Sequence, residues 1–426
     1  MIKLNKEQEE ILAGKEGRGA QKAMEILVAM GNAIGAGEMV KISYAHLMPP
    51  DLMFFPYGKQ GEWAHDMTRE LTLDLKGLKV PTTIEPKFCD LHIARDLQFT
   101  DEIIEEMGRI QGNAVNFYEN LGVYTTYSAM PFLYYQTKLG QHVSIAESIA
   151  TLWFNTMFGS RCERDDGVTA LSAAITGYVP LAGAHLDEYR HGEVVVRPGK
   201  GIRFSEFNDA DWDAYSLATS RVCKEKRPVF VDLPSGIGMT ALKHLLSVIA
   251  VESGLALMHI VGTTPEAPTL EAALSGRKPL GDVMIGRKEL DEAYEQANTA
   301  KCRDLDFILL GCPHVTLREF SDLAQVLDGK KIHKDVKLIV STTRLLLEQA
   351  EDMGYADVIR DAGGLIAKDM CIAFAGTNVK GTIATNSIKA VFFYAGFCAS
   401  EPNEVKFGSI KECARSALSG KWEGRF

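Results

Sequence analysis

A chain of 426 residues with 46% hydrophobic content can bury more than one core, yet none of its apolar runs approaches the ~18 residues of a membrane span. The net charge of −10, with no Lys/Arg-rich run carrying interleaved aromatics, excludes a nucleic-acid footprint, so any anionic substrate must be held by a few local cations. Eight scattered cysteines and an amino terminus, MIKLNKEQEE, that lacks the apolar core of a secretory signal predict a cytoplasmic protein with reduced thiols.

Residues 17–36 carry the first strong amphipathic pattern: Met24, Leu27, Val28, Met30 and Ile34 recur near the helical period, and glycines at 31, 35 and 37 close it. KISYAH then reads as a strand running into a loop. Further helices are predicted over 66–78 and 100–121, separated by the extended segment LKVPTTIEP, and a buried helix over 144–158. In the second half PVFVDL (228–233), LALMHIVG (255–262), DFILLG (306–311), KLIVST (337–342) and GLIA (364–367) alternate with helical stretches near 239–252, 288–300, 316–328 and 343–353. Such alternation predicts an α/β protein with mostly parallel sheets flanked by helices. The expected division is an α-rich α/β region over 1–204, an open parallel α/β domain over 205–395, and a tail over 396–426 that returns to the core.

Cys312 and Cys371 each stand just past an apolar strand, and the two strands are expected to be neighbours. Loops at the carboxyl ends of parallel strands collect ligands, so the two thiols read as metal ligands, although no CxxC pair accompanies either. GSRCERDDG (159–167) packs Arg161 and Arg164 into a glycine-bounded turn, either as a clamp for a carboxylate or phosphate or as a self-paired charged turn. His46, His142 and His185 read as hydrogen-bonded core histidines, whereas His314, two residues from Cys312, has a stronger claim to function. TNSIKA places Asn386, Ser387 and Lys389 at a helix start, as caps or as an anion site. Gly236, Gly238 and Ala241 match Gly-x-Gly-x-x-Ala, but the next strand ends in Val261-Gly262-Thr263-Thr264 without the acid a dinucleotide site needs, so a tight turn is expected. Walker, HExxH and Gly-x-Ser-x-Gly motifs do not occur.

Taken in order, QKAMEILVAMGNAIGA, SYAH, KVPTTIEP, GQHVSIAES, HLDEYR, VGTTPEAPT, LLGCPH, DMC and TNSIKA resemble the large catalytic chain of the aconitase X family over roughly residues 5–420. The resemblance implies an aconitase-like multi-domain α/β core without the swivel domain, which a small partner subunit supplies. It implies a hydro-lyase that removes water from a small 3-hydroxy acid such as cis-3-hydroxy-L-proline or mevalonate 5-phosphate, with an iron–sulfur cluster or other metal on Cys312 and Cys371. On this reading Ser387, Lys389 and His46 are catalytic, and Arg161, Arg164, Ser43 and Asn386 bind substrate. The sequence departs from the family in two places. Ala129 in TYSAMPFLYY takes the place of a third cysteine, and LMPPDLMFFPYG after SYAH replaces a glycine-containing turn. The alternatives are a metal-independent lyase or isomerase on another hydroxy acid, and a catalytically silent metabolite-binding subunit.

Overall fold

The computed structural model describes residues 1–53, 59–397 and 401–425, so the end of the LMPPDLMFFPYG segment lies outside the described residues. The chain divides into two compact units, one formed by residues 1–85, 105–193 and 255–278, the other by 86–104, 194–254 and 279–426. The strands in chain order are β1 (Met39–Lys41), β2 (Ala45–Leu47), β3 (Thr82–Ile84), β4 (Ser144–Ile145), β5 (Tyr178–Pro180), β6 (Val194–Pro198), β7 (Pro228–Phe230), β8 (His259–Ile260), β9 (Gly281–Ile285), β10 (Phe307–Leu310), β11 (Lys337–Thr342), β12 (Leu365–Lys368), β13 (Ile383–Thr385) and β14 (Val405–Phe407).

In the first unit the amphipathic pattern near the amino terminus forms the helix Arg18–Ala33, whose Ala20, Ala23, Met24 and Leu27 are buried on the side that packs with the helix Gly167–Thr176. β2 is the centre of a parallel sheet of order β3–β2–β4, with His46 opposite Thr83 on one side and Ile145 on the other. The helix expected at 66–78 lies earlier, at Lys59–Leu71. The apolar run expected to be one helix over 144–158 is divided: Ser144–Ile145 joins the sheet, and Glu147, accepting from the Ala150 amide at 2.6 Å, caps a helix that begins at Ser148. A side-chain cap three residues into an apolar run ends the strand where periodicity alone shows no break.

The second unit contains two parallel arrangements rather than one. β6 pairs with β7 and β9, and a five-stranded sheet has the order β12–β11–β10–β13–β14, every neighbouring pair parallel. β11 therefore lies between β10 and β12, so the strands leading to Cys312 and Cys371 are not neighbours as expected. The predicted helices fall at Met239–Glu252, Arg287–Ala297, Leu317–Leu327 and Arg344–Asp352. Thr316 and Glu319 form a capping box on the third of these, fixing its start. In the core of this sheet Ile308, Leu310, Leu338 and Val340 pack with Phe320, Leu323 and Ile359 of the covering helices and with Trp422, and each fully buried aliphatic or Phe contributes roughly 1.5–3 kcal/mol.

Candidate active site

The charged turn at 159–167 is built into the edge of the first unit's sheet. Ser43 donates its amide to the His142 carbonyl at 2.9 Å, His142 bridges Arg161, and Ile145 bridges Arg164. His46, Ile145 and Arg164 thus stand in one row across adjacent chain segments. Arg161 is partly buried and occupied, donating to the His185 carbonyl at 2.9 Å and to Asp187. Arg164 is exposed, and its guanidinium makes no ion pair among the described residues. The acids of the turn have separate tasks. Asp166 caps the helix Gly167–Thr176 through the Val168 and Thr169 amides, and Glu163 accepts from the Ala184 amide, an approach open only because residue 183 is glycine: a Cβ there would collide with the Glu163 carboxylate. Asp165, receiving the Ser144 hydroxyl at 2.5 Å, is pushed up to about 7, mainly by burial, with that hydrogen bond opposing the shift. The carboxyl is thus a half-buried partner of Ser144, and the charges acting on it are those of Glu163 and Asp166 rather than a guanidinium.

His46 occupies a different kind of place. It is fully buried, its Nε2–H donates to Glu85 at 2.8 Å, and Nδ1 accepts from the Thr83 hydroxyl at 2.8 Å, which in turn contacts the Tyr44 hydroxyl. Burial pushes the ring down to about 3, so it is neutral, and both nitrogens are engaged in holding β2 to β3 and Glu85. His142 and His185 stack at an interplanar angle of 17° with Nδ1 atoms 2.9 Å apart, one donating and the other accepting. Burial, with Arg161 and Arg190 nearby, pushes His142 down to about 4. Burial, with His142, Arg190 and Arg161 adding to it, pushes His185 down to about 3.

In the second unit the sequence-predicted groups meet around one pair of loops. β10 is followed by Gly311, whose φ of +113°, together with the collision a Cβ would make with the Ser341 carbonyl oxygen, requires glycine before Cys312. Ser387 caps the helix Ile388–Phe392 by accepting from the Ala390 amide and donates its hydroxyl to the Cys312 carbonyl. Asn386 donates to Asp209 at 3.1 Å and to Glu319 at 3.0 Å, and Lys389 is buried. His314 donates from Nε2 to the Met370 carbonyl at 3.0 Å, joining the Cys312 loop to the residue before Cys371. Both Cys312 and Cys371 act electrostatically on the buried Tyr394 hydroxyl, whose pKa is raised well above its ordinary value chiefly by burial. The two thiols therefore share a neighbourhood although a strand separates their own strands. Cys89 lies on the segment whose Lys87 bridges Met370, but burial pushes its thiol up to about 12. Cys312 is buried and Cys371 half-buried, and neither forms a disulfide among the described residues.

A second donor group has no signature in the sequence: Asp209, His244 and Glu319 present ligand atoms within 4.8 Å of one another. Its members lie on three helices, and no short motif joins positions so far apart in the chain. Lys243 already sits 2.6 and 2.8 Å from the two Glu319 oxygens, and His244 donates from both ring nitrogens, to Asp213 at 2.9 Å and to Glu319 at 3.0 Å. As the side chains stand, Lys243 and the ring hydrogens occupy these donor atoms as a salt-bridge network, so a metal ion could bind only by displacing them. The Gly236–Ala241 segment is the tight turn expected, with Gly238 at the start of the helix Met239–Glu252. No helix among the described residues is long and apolar enough to cross a membrane.

Comparison with known proteins agrees with this architecture. Family models for the aconitase X first, second and third domains match residues 1–188, 192–295 and 305–419. The phosphomevalonate dehydratase large subunit of Methanocaldococcus jannaschii is 31% identical over 96% of this chain and 98% of its own length. The cis-3-hydroxy-L-proline dehydratase of Pseudomonas aeruginosa is 26% identical over 96% of this chain and 69% of its own. The crystal structure of Thermococcus kodakaraensis aconitase X in its holo form superimposes with a TM-score of 0.83 at 27% identity, covering 98% of this chain and 100% of that one. The three matched domains and the near-complete coverage establish that the chain belongs to the aconitase X family.

Proposed function

We propose that this chain is the large subunit of a dehydratase that removes water from a small 3-hydroxy acid, cis-3-hydroxy-L-proline and mevalonate 5-phosphate being the two substrates suggested by its relatives. The observation that carries the reading is the exposed guanidinium of Arg164, which makes no ion pair among the described residues, on the same turn as Arg161. Elimination of water needs an acidified carbon next to a carboxylate, a cation on that carboxylate, and a base for the proton. Arg164 supplies the cation, with Arg161 and Ser43 shaping the same edge. His46 acts as an anchor beneath this edge rather than as the base, because neither nitrogen is available. On the family resemblance alone, Ser387 and Lys389 are assigned to the departure of the hydroxyl group, and Asn386 to the support of their turn. The proton leaves carbon, the carbon–oxygen bond breaks, and the oxygen departs as water once protonated.

Cys312 and Cys371, which both act on the Tyr394 hydroxyl, are the residues that would hold a metal, whereas Ala129 replaces the third cysteine of the family pattern, so a three-cysteine cluster is not expected. A metal held there would act as a Lewis acid toward an oxygen atom. The relatives named as large subunits support a small partner subunit, and the scattered cysteines support a reducing, cytoplasmic setting. Mixing the full chain with the small subunit, supplying each of the two acids, and following loss of one water by mass spectrometry tests the reading. No product from either acid, with the partner present and iron restored anaerobically, refutes it. A silent metabolite-binding subunit is less favoured, since the relatives that match nearly the whole chain are named as dehydratases.

A further inference from the structure

The second unit contains a chain of ionised groups that touches both loops of the candidate site without belonging to either. Glu319, the third residue of the helix Leu317–Leu327, is fully buried, yet each of its oxygens is saturated. Oε1 receives Lys243 at 2.8 Å, His244 at 3.0 Å and Asn386 at 3.0 Å; Oε2 receives Lys243 at 2.6 Å and both the amide and hydroxyl of Thr316 at 2.8 Å. The opposite face of His244 donates to Asp213 Oδ1 at 2.9 Å, and Asp213 Oδ2 accepts the Ile388 amide at 2.6 Å. Lys243 also reaches the His314 carbonyl at 3.4 Å. Because both partners of His244 are carboxylates, which only accept, both ring nitrogens must carry hydrogen.

Two loops distant in sequence thus converge on one ion network. From the Cys312 side, Lys243 holds His314 and Thr316 begins the helix. From the Ser387 side, Asn386 is held by Glu319 and Ile388 by Asp213. The link between the loops themselves is the Ser387 hydroxyl on the Cys312 carbonyl. We propose that His244, held between Asp213 and Glu319, is the positioning residue that sets the Asn386–Lys389 turn against the Cys312–His314 loop. The inference rests on the assignment of Ser387 and Lys389 to the elimination.

The charge of the ring is consistent with the geometry. Burial alone lowers its pKa, but the Asp213 charge and the hydrogen bonds to Asp213 and Glu319 outweigh burial and the neighbouring Lys243, leaving it raised to about 9. Asp209 also lies near and is itself raised to about 6 by burial, against the His244 charge. These, with Glu319, are the titratable groups facing the ring from the helices Asp209–Cys223, Met239–Glu252 and Leu317–Leu327.

The test uses the full chain with its small subunit and three variants: His244→Gln, Lys243→Arg and Ser387→Ala. In His244→Gln, kcat should fall roughly 10- to 100-fold, as for residues that orient others, while KM stays within about threefold. Lys243→Arg, which keeps the cation but not its compact geometry on both Glu319 oxygens, should lose less kcat than His244→Gln. The wild-type kcat should decline as pH rises through about 9, and that limb should be missing in His244→Gln. Should His244→Gln not fold, 15N-histidine NMR of the wild-type complex replaces it: two protonated ring nitrogens at neutral pH support the proposal, and a neutral ring overturns it. Unchanged kcat in His244→Gln, alongside an impaired Ser387→Ala, overturns the positioning role alone. Unchanged kcat in Ser387→Ala overturns the assignment beneath it and the positioning role with it.

Discussion

Removing Lys243 from the buried network should loosen the second unit by an amount the geometry bounds. Its Nζ lies 2.6 and 2.8 Å from the Glu319 oxygens, and both side chains are almost wholly buried. At an effective dielectric near 20 and about 3.5 Å between charge centres, the attraction is about 5 kcal/mol before the cost of desolvation. Deleting one partner of a buried pair generally costs about 3–5 kcal/mol, because the other charge is left behind. His244 remains beside Glu319 as a second cation, so Lys243→Met should fall at the lower end, about 3 kcal/mol. Hydrogen–deuterium exchange of peptides from the helices Met239–Glu252 and Leu317–Leu327 measures this locally, where whole-chain melting would mix the two units. A loss of about 3 kcal/mol corresponds to exchange about 150-fold faster. The double variant Lys243→Met with Glu319→Gln, which strands no carboxylate against an absent ammonium, should be less damaged than the sum of its parts. Exchange accelerated less than about fivefold in Lys243→Met, or strict additivity in the double variant, would refute the view that this pair is energetically coupled.

Arg164→Ala should lower kcat/KM by roughly 100- to 1,000-fold, as befits a charge-assisted contact to a substrate anion, and leave the melting temperature unchanged because the side chain is exposed and unpaired; a loss of folding without a catalytic defect would return the turn to a structural role. His244 is raised from 6.5 to about 9, so its contribution to stability is complete below about 6.5 and is lost as pH rises through about 9; exchange protection of the helix Met239–Glu252 should fall across that window, and a flat profile contradicts the charged ring. Asp165 has the opposite character for a carboxyl, raised from 3.8 to about 7, so it weakens the first unit as pH rises from about 4 to 7, and Asp165→Asn should flatten that slope in the unit's exchange. Cadmium titrated into anaerobic protein should produce thiolate charge-transfer absorption that Cys371→Ser diminishes; equal absorption in both proteins shows that Cys312 and Cys371 do not share an ion.

Local signals carry much of the architecture. The helix over 239–252 is legible because an apolar run begins after two glycines, and 316–328 because Thr316 and Glu319 spell a capping box ahead of Phe320 and Leu323. β6, β9, β13 and β14 are not legible: they are three to five residues long, and nothing in IAT or VKF distinguishes a strand from a loop until neighbours pair with it. Strand order is non-local for the same reason, which is why periodicity does not place β11 between the two cysteine strands. At the site, residue type points to Arg164 and Ser387 but does not say which groups are already engaged. The engagement of His46 depends on Thr83 and Glu85 across a strand pair, and the charge of His244 depends on Asp213 and Glu319, 31 and 75 residues away. Ala129 and the altered segment after SYAH are visible as departures from the family's pattern without any structure, because a missing thiol and a pair of prolines are read directly from residue type.

The order β12–β11–β10–β13–β14 has a consequence for how the protein is made. A ribosome delivers β10 and then β11, so one edge of β10 gains its neighbour early, while the other waits for Ile383–Thr385. At about 5–20 residues per second that interval is roughly 4–15 s. Throughout it the open edge of an apolar strand is available to any other nascent chain, and the Cys312 carbonyl has no Ser387 hydroxyl to receive. Co-expression with a general chaperone should therefore raise the yield of folded chain, and an unchanged yield would show that the open edge does no harm.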